Sequence, residues 1–160
     1  MAMVTVGIAD LNAVKTPDSL ITYALGSCVG ICLYDSDKKI AGLAHIMLPL
    51  STEAAGKIDN KRRYADTGIT ELIQSMNHMG ASTARMTAKI AGGAQMFKGN
   101  SSSMFNIGER NVAAVKKVLA SYRIRIVAEE TGADFGRTVV FHGEDGKMEV
   151  RAAMKPTKIV

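Results

Sequence analysis

Tryptophan is absent, proline occurs three times and cysteine only twice in 160 residues. Two cysteines cannot build a disulfide framework. Cys28 and Cys32 fall on one expected strand, where extended backbone holds their Cα atoms about 13 Å apart, too far to bridge. No run of 18 apolar residues exists, so no direct membrane insertion is expected. No basic stretch followed by an apolar run opens the chain, so no secretory signal is expected either. These absences fit a reducing, cytoplasmic setting. Repeats and low-complexity tracts are also missing. No C-x-x-C or H-x-x-x-H spacing occurs, so Cys28, Cys32 and His45 form no recognisable metal set, and neither metal nor cofactor is expected.

What is present is ordinary in bulk. The length fits one domain over residues 1–160, enough to bury roughly 70% of the unfolded surface without staples. Hydrophobic residues make up 47% and charged residues 22%, as in typical globular domains. The net charge of +5 favours acidic partners or serves solubility alone. The basic residues are scattered. The one tight cluster, Lys57, Lys61, Arg62 and Arg63, has only Tyr64 beside it, and no nucleic-acid recognition motif appears, so nucleic acid is not an expected partner.

Patterning predicts mostly strands with two helices. Met3 to Ile8 reads as a short strand, followed by a polar connection to Pro17. Leu20 to Leu25 is extended. Val29 to Tyr34 alternates, with Val29, Ile31 and Leu33 on one face and Gly30, Cys32 and Tyr34 on the other. Asp35 to Lys38 is a turn, and Ile40 to Leu48 returns as the second arm of a hairpin. Leu50 to Arg63 reads as loop. Asp66 to Met79 has helical spacing at Ile69, Leu72, Ile73 and Met76, with Gly80 to end it. Thr83 to Ile90 is a strand running into Gly92-Gly93. Phe97 to Phe105 is a loop rich in glycine and serine. A second helix starts at Asn106, with Glu109 spaced as in a capping box, and carries Val112, Val115, Val118, Leu119 and Tyr122. Ile124 to Ala128 is a strand, and Thr138 to His142 with Met148 to Ala152 forms a hairpin. The fold class is mixed α/β (α+β), with room for some parallel pairing.

The chemistry concentrates in Leu25-Gly26-Ser27-Cys28-Val29-Gly30. Cys28 sits between two glycines at a loop-to-strand junction, and His45 follows seventeen residues later on the returning strand. A thiol beside an imidazole is the minimum for cysteine nucleophilic catalysis. Ser27 and Cys28 offer successive backbone N–H groups toward an oxyanion, and Gly26 permits close approach of a substrate. Cys32 reads as core. Thr22 is a candidate to orient His45 by holding one ring nitrogen. Each residue has a structural alternative: a buried thiol, a core histidine, a strand threonine.

Thr22 with Leu25 to Val29, Ala44 to Pro49, Tyr64 to Thr67, Lys89 to Ala94 and Asn106 to Asn111 resembles, in order and over about residues 3 to 152, the chemoreceptor glutamine deamidase CheD family. The resemblance implies a catalytic triad of Cys28, His45 and Thr22. It implies an amidohydrolase that converts glutamines of methyl-accepting chemotaxis receptors to glutamates, without cofactor. It also implies a layered β-sandwich with flanking helices, similar to the catalytic domains of deamidating toxins, and the phosphatase CheC as a partner. Phe97 and Phe105, with Met96 and Met104, are candidates for a partner surface, and Lys61 and Arg62 for contact with receptor glutamates. The alternatives are a CheC-binding regulatory module with little catalysis, or another Cys–His hydrolase such as a protease or acyl-transferase.

Overall fold

A computed structural model describes residues 1–54, 56, 58–96 and 106–160. Two five-stranded sheets carry the architecture. The first contains β1 (Met3–Thr5), β3 (Ser19–Leu25), β8 (Arg137–His142), β9 (Met148–Arg151) and β10 (Lys158–Ile159), side by side in that order. The second orders β2 (Asp10–Lys15), β5 (Ile40–Ile46), β4 (Val29–Asp35), β6 (Met86–Gly92) and β7 (Arg125–Thr131). Two helices, α1 (Ala65–His78) and α2 (Ile107–Ser121), pack on the second sheet.

The alternation in β4 decides the layering. Val29, Ile31 and Leu33 face the helices, meeting Ile69, Leu72 and Met76 of α1 and Val115, Val118 and Leu119 of α2. Cys32 and Tyr34 face the other sheet, where they join Leu20, Leu25, Val139 and Phe141. Each of these fully buried aliphatic side chains contributes about 1.5–3 kcal/mol. The layers therefore run helices, sheet, sheet, a mixed α+β sandwich.

Several elements depart from the sequence reading. The polar connection before Pro17 contains a strand, β2, paired antiparallel with β5. Its buried residues Leu11 and Val14 lie three apart and hide the period of two. The strand expected from Thr83 begins at Met86, after a 3-10 turn over Thr83–Arg85. Short 3-10 turns interrupt the loop before α1, at Ser51–Glu53 and Lys61–Arg63. The capping box at Asn106 and Glu109 does not form: Asn106 lies in the left-handed region at φ 61° and caps no helix amide with its side chain. β6 and β7 pair in parallel across α2. Among the described residues no helix is long and apolar enough to cross a membrane.

One passage between the sheets positions the site. The ladder of β3 with β8 breaks between Thr22 and Leu25, where Ala24 adopts φ 59°. The chain then leaves the first sheet, turns through Gly26, Ser27 and Cys28, and enters the second as β4. Cys28 thus stands at the crossing point.

Candidate active site

The β4–β5 register pairs Gly30 with His45. Paired residues share a face, and so do residues two apart along a strand. Cys28 lies in the turn just before β4 and packs against the core between the two sheets, the side from which Thr22 approaches His45, and no hydrogen bond joins its thiol to the ring. Thr22 reaches that side from β3. Its hydroxyl oxygen lies 2.7 Å from His45 Nδ1 and 2.7 Å from the Val6 carbonyl oxygen. Thr22 and His45 come from β3 and β5, strands of different sheets, and only the packing of the two sheets brings them into contact.

The two bonds of Thr22 fix the state of the ring. A carbonyl oxygen can only accept, so the single hydroxyl hydrogen goes to Val6. The hydroxyl must then accept from His45, which puts the hydrogen on Nδ1 and leaves a lone pair on Nε2. Nε2 is buried and has no hydrogen-bond partner among the described residues. His45 is fully buried, and that desolvation lowers its pKa to about 4. The imidazole is therefore neutral near pH 7 and able to take a proton at Nε2. Burial also raises the Cys28 thiol above its ordinary value, opposed in part by the residue's own backbone N–H. The resting pair is a neutral thiol and a neutral ring. Cys32 is completely buried, and desolvation raises its thiol much further.

The loop around Cys28 is held from outside. Gly26 O accepts from Ala94 N at 2.8 Å, and Cys28 O accepts from Gly93 N at 2.8 Å. Ser27 O accepts from the Asn111 side-chain amide at 2.9 Å. Three successive carbonyls are thus tied, whereas the Ser27 and Cys28 N–H groups reach no backbone acceptor among the described residues. This close fit needs glycine. At Gly92, with φ 106°, a Cβ would stand 2.3 Å from Cys28 O. At Gly108 in α2 it would stand 2.3 Å from Ala94 O.

The anchors Gly93, Ala94 and Asn111 lie in segments that carried the family resemblance but had no role assigned. Asn111 did leave a signal, a polar residue in the apolar stripe of α2 between Ile107 and Val115. Arg62 is engaged within the chain, bonding Glu71 through Nε at 3.0 Å and Nη2 at 2.8 Å, and Asp10 through Nη1. Lys61 is exposed on the turn beside it. Phe97, Phe105, Met104 and Lys57 lie outside the described residues. Among the described residues no three of histidine, cysteine, aspartate and glutamate converge as a metal set.

Comparison with known proteins adds a second line of observation. Residues 47–152 match the model of the family described as CheD chemotactic sensory transduction. A protein of Lachnoclostridium phytofermentans is 48% identical over 98% of this chain and 97% of its own length. One of Clostridium novyi is 51% identical over 92% of this chain and 91% of its own. One of Caldanaerobacter subterraneus is 52% identical over 91% of this chain and 90% of its own. All three bear the name probable chemoreceptor glutamine deamidase CheD.

Proposed function

The chain belongs to the CheD family, and from that premise we propose that it hydrolyses side-chain amides of chemoreceptor glutamines to glutamates. The observation that carries the chemistry is the Val6–Thr22–His45 chain, which leaves Nε2 as a bare lone pair. In this reading His45 Nε2 takes the Cys28 proton as Sγ attacks the amide carbon. The oxyanion that forms is met by the Cys28 and Ser27 N–H groups, with Gly26 leaving room for the substrate. His45 then returns the proton to the amine, the C–N bond breaks and ammonia leaves. Water, deprotonated by His45, attacks the thioester, and glutamate and the free thiol are released.

Proton transfer and attack are coupled in this scheme, because burial disfavours the charged form of each group separately. Residues 1–160 act as one deamidase domain working in the cytoplasm. CheC is a partner in the same reading, for which Phe97 and Phe105 are the candidate contacts, while Lys61 and Arg62 are candidates for contact with receptor glutamates.

The test is incubation with cytoplasmic chemoreceptor fragments, followed by ammonia assay and intact-mass analysis. Each modified glutamine gains about 1 Da with the chain uncut, as amide-to-acid hydrolysis requires. Cys28→Ala loses all turnover and Cys32→Ala keeps it. Ammonia release by Cys28→Ala sinks the mechanism, and cleaved receptor chain favours a protease.

A further inference from the structure

Asn111 is completely buried in the second turn of α2. Its Nδ2 donates to Ser27 O and to Met47 O, each at 2.9 Å. Two carbonyl acceptors fix the orientation of the amide, since the flipped group would set its oxygen against both of them. Its Oδ1 is buried with no partner among the described residues. A residue present only to fill the α2 stripe would be apolar, like Ile107 and Val115 beside it. Asn111 instead leaves a polar atom unsatisfied while making two bonds, both to backbone next to candidate catalytic residues. Ser27 precedes Cys28, and Met47 follows His45 by two.

The Ser27 carbonyl and the Cys28 N–H belong to one planar peptide unit and point in opposite directions. Holding the oxygen therefore aims the hydrogen. A hydrogen bond to the carbonyl also polarises the unit and strengthens the N–H as a donor. The second bond, to Met47 O, ties this plane to the segment that continues the His45 strand.

We propose that Asn111 is a positioning residue for amide hydrolysis: it fixes the Ser27–Cys28 peptide plane so that the Cys28 N–H meets the developing oxyanion. This rests on the Cys28 thioester reading above. Asn111 touches no substrate. It acts through a donor that matters more in the transition state than in the bound amide, so its loss should appear in kcat and leave KM in place.

The experiment compares wild type, Asn111→Leu, Asn111→Ser and Cys28→Ala on one chemoreceptor fragment. Folded protein is counted by circular dichroism and urea melts, and Cys28 alkylation with labelled iodoacetamide, corrected with Cys28→Ala for labelling elsewhere, reads the thiol's pH profile. The expected result is a fall in kcat of about 30- to 100-fold in both Asn111 variants, below the full loss of an oxyanion donor because the N–H is misaimed and not removed. KM stays within about twofold, and the pH profile of Cys28 alkylation is unchanged because thiol and imidazole are untouched. Retention of kcat within about threefold by either folded variant overturns the proposal, as does a shifted alkylation profile. Failure of both variants to fold also overturns it, by making Asn111 architectural. Turnover by Cys28→Ala would instead strike the thioester reading on which the proposal rests.

Discussion

At the turn end of the β4–β5 hairpin the buried Asp35 carboxylate accepts from the backbone N–H groups of Asp37, Lys38 and Ser82 and from the Arg85 guanidinium. Burial alone would raise its pKa, but these donors, Arg85 first, hold it below the ordinary carboxylate value. At the open end, about 20 Å away along seven residues, polar atoms are treated differently. His45 Nε2 and Asn111 Oδ1 are buried without partners among the described residues. Arg137, which reaches Gly92 O through Nη1, leaves Nε unpartnered, and so does Arg63, whose carbonyl accepts from Met47 N. One end satisfies its polar groups and serves architecture. The other leaves stability ungained around the residues proposed to be reactive, the kind of place where a local rule is broken for function.

The difference can be broken first at the closed end. Asp35→Ala removes a buried carboxylate that accepts from three half-buried backbone N–H groups and from Arg85. Unfolding free energy should therefore fall by about 4 kcal/mol, several hydrogen bonds to a charged group at about 1.5–3 kcal/mol each, discounted for the exposure of their donors. Urea melts give the loss. Deamidation per folded molecule should stay within about twofold of wild type. A large drop in that specific activity would mean the two ends are coupled and the division of labour is wrong.

The open end should reveal itself through pH. His45 binds its proton at about pH 4 in the fold and near 6.5 when unfolded. Between these values the unfolded chain holds the extra proton, so stability rises with pH across the window. It is therefore lost as pH falls from about 6.5 to 4, by about 3 kcal/mol at about 1.4 kcal/mol per unit, and the loss levels off below 4. Denaturant melts of wild type and His45→Gln at pH 7.5 and 4.5 isolate this contribution. Equal pH slopes in the two proteins would show that His45 is not held neutral.

Much of this contrast is written in side-chain pattern, and some of it is not. Val29, Ile31 and Leu33 against Gly30, Cys32 and Tyr34 announce the two faces of β4, and the turn at Asp35 fixes a hairpin that brings His45 opposite Gly30. α1 and the β8–β9 hairpin are legible for the same reason, a clear period. β2 escapes because its two buried residues are spaced like a helix and its other side chains are small or polar. No periodicity relates Thr22 to His45. Their contact depends on a chain crossing from one sheet to the other; a strand threonine can be named as a candidate to hold the ring, and the family resemblance implies the same pair, but no pattern in the chain places them together. The anchors of the Cys28 loop are harder still. Gly93 and Ala94 act through backbone N–H groups, and Asn111 binds backbone carbonyls. Such partners carry no residue-type signature at the positions they hold.

The smallest change with a clear readout is Thr22→Val, which keeps shape and deletes one oxygen. Val6 O loses a donor and His45 Nδ1–H loses its acceptor. The ring is then free to carry its hydrogen on Nε2, a tautomer that has no lone pair to offer Cys28. Only the fraction in the other tautomer can act as base, so kcat should fall about tenfold, equivalent to about 1.4 kcal/mol. That is milder than His45→Ala, which removes the base altogether. Thr22→Ser restores the hydroxyl and should recover turnover to within about threefold. Thr22→Val with wild-type kcat would take Thr22 out of the mechanism. The lone pair on Nε2 would then depend on burial of the ring alone, and the two sheets would need to meet at this point only for packing.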